Sequence, residues 1–222
     1  MRKCEVRELG RMGYREAFAL QRELVDQRKR GLVPDQFLLL DHPHVVTMGR
    51  NAQESNVLAS PEVLERAGIA YEQTDRGGDV TYHGPGQIVG YPILDLRDWK
   101  RDVVAYVRAV EQVIINALGE FGIEAGREPG ATGVWVNGAK VAAIGVHISR
   151  WVTSHGFALN VTTDLSYFRY IVPCGLTKPV TSMAALGCKV RPADVIPALV
   201  RQFVQVFDYE IAQAELTTEK VL

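Results

Sequence analysis

The stretch Thr74-Asp75-Arg76-Gly77-Gly78-Asp79-Val80-Thr81-Tyr82-His83-Gly84-Pro85-Gly86-Gln87-Ile88-Val89-Gly90-Tyr91-Pro92 sets the terms for the rest of the chain. Gly77-Gly78 and the pair Gly84 and Gly86 bracket a short β-branched and aromatic run, so the backbone has to turn, extend and turn again. That frame holds Arg76, Asp79, Tyr82 and His83 stiffly, and its glycines admit a ligand close to the main chain because no Cβ stands in the way. Taken alone, the pattern is equally that of a hairpin closed by a Gly-Pro-Gly turn. The residues around it decide what the frame is for.

Before it, Cys4 to Leu9 reads as a first strand, and Tyr14, Ala17, Phe18, Leu24 and Val25 fall at helical spacing. That helix ends in Arg28-Lys29-Arg30 ahead of Gly31, a basic run expected to be solvated, since cations complement the end of the helix dipole. Gln36 to Leu40 is an apolar run of buried-strand type, and Val45 to Met48 continues as another. His42 and His44 flank Pro43 with only Asp41 beside them, which suits a turn better than a metal site. Ser60 is the expected N-cap of a short helix with Pro61 at its first position. Ile69 to Thr74 then leads into the glycine-rich stretch.

After it, Ile88 to Leu96 leaves as a strand, and a helix from about Val103 to Phe121 presents one broad apolar face to the core. Asn137-Gly138 between valine-rich runs predicts a tight hairpin, with Lys140 just past the turn. Trp151 to Val161 pairs on as a further strand. Asp164 caps a short helical segment, and the last helix runs from about Val195 to Phe207 with Pro197 assigned to its first turn. No linker or repeat intervenes, so residues 1–222 are expected to form one α/β domain with a mixed sheet flanked by helices.

With 47% hydrophobic and 23% charged residues the chain can bury a full core, and a net charge of −1 offers nucleic acid or membrane no global attraction. The N-terminus lacks an apolar segment of signal-peptide length and no window approaches a membrane span, which leads to the cytoplasm as the expected compartment. Cys4, Cys174 and Cys188 are an odd set without CxxC spacing, arguing against a disulfide framework or structural zinc. A lone cysteine is then available as a nucleophile.

Cys174 is the one framed for that role, between Pro173, which fixes the backbone, and Gly175, which frees the next amide to face an oxyanion. A thiol needs a nearby cation or base to lower its pKa from about 8.5. Lys140 has no packing role of its own in an apolar run and suits that purpose, though a strand-end lysine is also ordinarily just solvated. His83 and His155 are rival bases, and spacing does not choose among them. Arg76 pairing with Asp75 or Asp79 at the surface, and Tyr82 as a plain strand aromatic, remain the simpler readings of those residues. Cys4 and Cys188 lack the Pro-Cys-Gly frame and are read as inert thiols.

Four ordered segments now carry a resemblance: Arg76 to Gln87, Lys140-Val141-Ala142-Ala143-Ile144-Gly145-Val146, His155-Gly156-Phe157-Ala158-Leu159-Asn160-Val161, and Pro173-Cys174-Gly175-Leu176. Together they resemble the lipoyl(octanoyl) transferases, over about Leu9 to Gly187. The resemblance implies a fold shared with the catalytic domain of biotin and lipoate protein ligases. It implies transfer of an octanoyl group from acyl carrier protein to one lysine on the lipoyl domains of 2-oxoacid dehydrogenases and the glycine cleavage H protein. No cofactor, ATP or metal is implied. Carried over, Cys174 would hold the acyl thioester and Lys140 would lower its pKa. Arg76, Gly77, Gly78, Asp79, Val80, Thr81, Tyr82 and His83, with Ala143, Ile144, Gly145, Gly156, Phe157 and Ala158, would line the substrate site. Tyr82, Ile144, Val146 and Phe157 are expected to wall an apolar channel, and Arg150, Arg169 and Lys178 to receive the acidic carrier protein. Position 79 is Asp where many members carry Gln; a carboxylate facing the thiol would raise its pKa.

Overall fold

A computed structural model describes residues 2–172 and 178–211. Strand β1 (Arg2–Arg11) leads into helix α1 (Tyr14–Lys29), then β2 (Asp35–Asp41) and β3 (Val45–Met48). Helix α2 (Pro61–Arg66), β4 (Ala70–Gln73), β5 (Val80–His83) and β6 (Gln87–Ile93) follow. After helix α3 (Val103–Gly119) come β7 (Gly126–Glu128), β8 (Ala131–Val136), β9 (Ala139–Ser149) and β10 (Val152–Asn160). Helix α4 (Pro192–Phe207) and β11 (Tyr209–Ile211) close the described chain.

Eight strands form one sheet in the order β11-β1-β2-β6-β10-β9-β8-β7, parallel at β11-β1-β2 and antiparallel beyond. The other three make a small sheet, β4-β3-β5. The large sheet is mixed because α1 carries the chain from β1 to its parallel neighbour β2, whereas β7, β8, β9 and β10 follow one another through turns. Helices α3 and α4 cover one face, burying Tyr106, Ile114, Leu118, Leu199, Phe203 and Phe207 against Phe37, Phe157 and Leu159. Helix α1 covers the other, with Ala17 and Leu24 against Leu38, Val89, Tyr91 and Ala158. The small sheet keeps its own core of Val46, Met48, Leu64, Ile69, Val80 and Tyr82.

The expected elements form, and their chemistry explains the differences. Asn137 and Gly138 both take positive φ, 49° and 76°, the conformation of the tight hairpin turn. Asp102, not foreseen as a cap, accepts from the Ala105 N–H at 2.9 Å and starts α3. Ser60 takes the expected N-cap position of α2, but its hydroxyl donates to Glu62 at 2.6 Å instead of accepting from the helix N–H groups. Pro197 lies inside α4 rather than in its first turn, because the helix already begins at Pro192. Its missing N–H deprives the Ala193 carbonyl, and both residues are exposed, so water can fill the place. Nor is the end of α1 simply solvated: Arg28 is turned inward to Asp35 at 2.7 Å and Asp98 at 2.6 Å. Three carboxylates, Asp35, Asp95 and Asp98, converge on this arginine, which sequence periodicity does not reveal.

Gly90 on β6 is filled by its neighbour: a Cβ there would come within 2.3 Å of the Phe157 ring, which packs on Phe37 in the main core. Gly90→Ala should therefore lower stability by about 1–3 kcal/mol, because the ring is boxed in and cannot move without strain. Chemical denaturation checks this; an unchanged midpoint would mean the ring has room.

Candidate active site

The glycine-rich loop docks on the large sheet through the Gly77 N–H, which donates to the Val146 carbonyl of β9 at 2.9 Å. Gly145 permits that approach, since a Cβ there would meet the Gly77 carbonyl at 2.9 Å and Arg76 Cδ at 3.3 Å. Between loop and sheet lies a cleft of about 450 Å³ including its mouth, lined by Arg76, Gly78, Asp79, Thr81 and His83 on one side. Ala143, Ile144, Gly145, His155, Gly156, Phe157 and Ala158 line the other, and Tyr14 and Tyr91 complete it.

Strand alternation decides which of these present side chains. Ala143 pairs with Ala158, and Gly145 with Gly156, across β9 and β10, so the cleft face of the sheet is built from small residues. Ile144, Val146 and Phe157 turn the opposite way and pack in or against the main core. The expected channel of large apolar side chains is thus replaced by a shallow slot floored with Ala and Gly. Tyr82 also leaves it: its ring stacks with Tyr167 at 5.4 Å in the small-sheet core, and its hydroxyl meets His44 Nδ1 at 2.7 Å. Tyr14 and Tyr91, both buried, border the cleft as well, and neither was among the expected site residues. The signal was available only as polar-tipped aromatics in otherwise aliphatic runs.

Arg76 is buried, with its guanidinium donating to the Thr47 carbonyl at 2.7 Å, Thr47 Oγ1 at 3.0 Å and the Gly77 carbonyl at 3.2 Å. It braces the loop to β3 rather than pairing at the surface with Asp75 or Asp79. The Asp79 carboxylate accepts from the Val80 N–H at 2.7 Å, the Gln53 N–H at 3.1 Å and the Asn56 side-chain amide. Its negative charge is therefore held by donors of its own neighbourhood.

The histidines sort by environment. Burial pushes the His83 ring down to about 3, and its Nδ1–H donates to Gln87 Oε1 at 2.8 Å, so it is too weak a base to take a proton near neutrality. His42 is likewise lowered by burial; its Nδ1–H donates to the Met12 carbonyl at 2.7 Å, and Tyr91 O–H donates to its Nε2 at 2.8 Å. His155 is lowered by burial against the opposing pull of Asp75, 2.6 Å from its Nε2. Among the described residues no cluster of three or more His, Cys, Asp or Glu is placed to hold a metal ion.

Lys140 is 7% exposed. The hairpin turn sets it opposite Trp135, with Nζ 4.8 Å from the centre of that ring. Its backbone is engaged as well, with the N–H donating to the Pro179 carbonyl at 2.9 Å and the carbonyl accepting from the Thr181 N–H at 2.9 Å. A buried polar chain reaches the same place from the cleft, as Gln87 donates to Asn160 Oδ1 at 2.9 Å and Asn160 to the Thr181 carbonyl at 3.0 Å. Pro173, Cys174 and Gly175 lie outside the described residues. The described chain on either side is anchored, Val172 by its N–H to the Asn56 carbonyl at 2.7 Å and residues 179–181 to Lys140. Of the remaining cations, Lys178 pairs with Glu128 and sits 5.4 Å from the Trp135 ring, Arg169 lies against Tyr170, and Arg150 is exposed at the β9–β10 turn.

Residues 13–204 match the family model of the lipoyl protein ligase A/B catalytic domain. The chain is 65% identical to an octanoyltransferase of Solibacter usitatus, over 95% of this chain and 96% of that one. The chain belongs to the octanoyltransferases of this family. A second octanoyltransferase, from Koribacter versatilis, is 54% identical over 95% of this chain and 87% of its own. Among solved structures, a putative lipoate protein ligase from T. acidophilum with bound lipoic acid superimposes with a TM-score of 0.76 at 17% identity, covering 95% of this chain and 88% of that chain. Biotin protein ligase from Aquifex aeolicus follows the same fold more loosely, with a TM-score of 0.54 at 12% identity, covering 94% of this chain and 70% of that chain. The octanoyltransferase fold is thus the mixed α/β fold of the lipoate and biotin ligases. Among the described residues no helix is long and apolar enough to cross a membrane.

Proposed function

We propose that this octanoyltransferase, as one catalytic domain acting in the cytoplasm, takes an octanoyl group from acyl carrier protein onto Cys174 and passes it to a lysine of a lipoyl-domain protein. The observation that carries this reading is the position of Lys140. It is a buried lysine whose own backbone is hydrogen-bonded to the chain that leaves the Cys174 segment, at Pro179 and Thr181. A cation so placed lowers the pKa of a neighbouring thiol.

In the first half-reaction the Cys174 thiolate attacks the octanoyl thioester and the carrier thiolate leaves, taking a proton from the Lys140 ammonium, which is left as the free amine. In the second, the acceptor amine attacks the enzyme thioester, an amide bond forms, and the Cys174 sulfur leaves as thiolate while Lys140 accepts the proton. Thioester exchange is near isoenergetic and aminolysis is downhill, so neither half needs ATP. The Gly175 amide is the first candidate donor to the oxyanion. Burying some six methylenes over the Ala and Gly floor would contribute roughly 5 kcal/mol, enough to favour a medium chain over acetyl.

Intact-protein mass spectrometry tests the reading. Mixed with octanoyl carrier protein and no ATP, the enzyme should gain one octanoyl group, located to Cys174 by peptide mapping. Acylation that instead required free octanoate and ATP would make this a ligase.

A further inference from the structure

Residues 49–58 carry no motif, yet they join the glycine-rich loop to the chain that enters the Cys174 segment. Their first part is bonded to the glycine-rich loop: the Gly49 N–H donates to the Asp79 carbonyl at 3.3 Å, Arg50 to the Arg76 carbonyl at 2.9 Å and Asn51 to the Gly78 carbonyl at 3.2 Å. Their last part is bonded to the chain that enters the Cys174 segment. The Leu58 N–H donates to the Tyr170 carbonyl at 2.8 Å, Val57 bridges Ile171, and Val172 donates to the Asn56 carbonyl at 2.7 Å. Val57 packs against the core of the small sheet, which gives this strap a fixed base.

Asn56 is the residue where the two sets meet. Its side-chain amide donates to Asp79 Oδ2, while Asp79 Oδ1 accepts from the Gln53 and Val80 N–H groups, and its carbonyl holds Val172. We infer that Asn56 is a positioning residue for acyl transfer, fixing the substrate loop through Asp79 and the approach to Cys174 through Val172 in one register. The inference rests on Cys174 being the nucleophile. Displacing a reacting group by about 1 Å can cost on the order of a hundredfold in rate, so a hydrogen-bonded link between the loop and the chain that enters the Cys174 segment has leverage on turnover. It has little on binding, because Asn56 is not among the residues lining the cleft.

The donor and acceptor in this pair can be exchanged. Asn56→Asp sets two carboxylates face to face; adding Asp79→Asn restores one donor and one acceptor and keeps Oδ1 for Gln53 and Val80. With octanoyl carrier protein as donor and a lipoyl domain as acceptor, N56D should lose at least about tenfold in kcat with KM for the carrier changed less than about threefold, and the double exchange should recover most of it. A role confined to stability would lower the melting temperature without that split or that recovery. Asn56→Ala, which removes the grip without adding charge, serves if N56D does not fold. Wild-type kcat in a folded single variant, or no recovery in the double exchange, overturns the inference. Cys174→Ser run alongside separates the failures: full transfer by that variant removes the nucleophile itself, whereas an inert C174S beside wild-type rates in the Asn56 variants removes only the positioning role.

Discussion

Serine at position 174 should leave a folded protein that forms no octanoyl adduct and transfers the acyl group at least about a thousandfold more slowly. The substitution nearly keeps the side chain's size and exchanges a thiol for a hydroxyl, which is far harder to ionise. Thioester exchange also loses its near balance of energies, since an oxygen ester would be formed from a thioester and is a poorer acyl donor to an amine. The measurement is intact mass after incubation with octanoyl carrier protein, together with the rate of octanoyl-lipoyl-domain formation. Transfer at an undiminished rate by C174S would remove covalent catalysis through this residue and with it the two-step scheme.

Lys140→Met should fold, because methionine matches the length of the stem that crosses the Trp135 ring, and the backbone bonds to Pro179 and Thr181 do not depend on the side chain. Acylation near neutral pH should fall by about ten- to a hundredfold, the thiolate fraction lost when a thiol pKa rises by one to two units toward its ordinary value of about 8.5. The sign follows from the charge: the cation favours the thiolate, so its removal raises the thiol pKa, and the rate recovers as pH is raised through the new value. The check is the pH profile of Cys174 alkylation and of acylation in parallel. A wild-type rate at pH 7 would show that Lys140 has no part in activating the thiol. Recovery of acylation at high pH without recovery of transfer to the lipoyl domain would assign Lys140 the further role of taking the amine's proton.

The other consequences of this geometry concern how little the histidines contribute to base chemistry. His83 is neutral in the working range, with burial outweighing every favourable partner, and donates its one ring N–H to Gln87. It serves as a cleft wall, its ring stacked with Tyr14 at 6.1 Å. His155 is likewise lowered by burial, and the activating role is proposed for Lys140, whose backbone is bonded to Pro179 and Thr181.

Some of this was written in local residue chemistry and was readable without a fold. Asn137-Gly138 dictates a tight turn because both positions need positive φ, and that alone puts Lys140 at a strand start. The apolar periodicity of α3 and α4 defines which of their faces are buried. The ordered segments around Arg76, Lys140, His155 and Cys174 carry the resemblance to the octanoyltransferases.

Tertiary structure alone decided the rest, because side-chain direction and partner choice depend on which strands become neighbours. Pleating, not hydrophobicity, turned Ile144, Val146 and Phe157 into the main core and left Ala143, Gly145, Gly156 and Ala158 to floor the cleft. Arg28 became an internal ion-pair centre only when β2 and the loop after β6 brought Asp35, Asp95 and Asp98 around it. Lys140 met residues 179–181, and Asn56 met both Asp79 and Val172, through contacts between segments far apart along the chain. Local sequence sets what each residue can do; the closure of distant backbone onto backbone sets which of those capacities face one another.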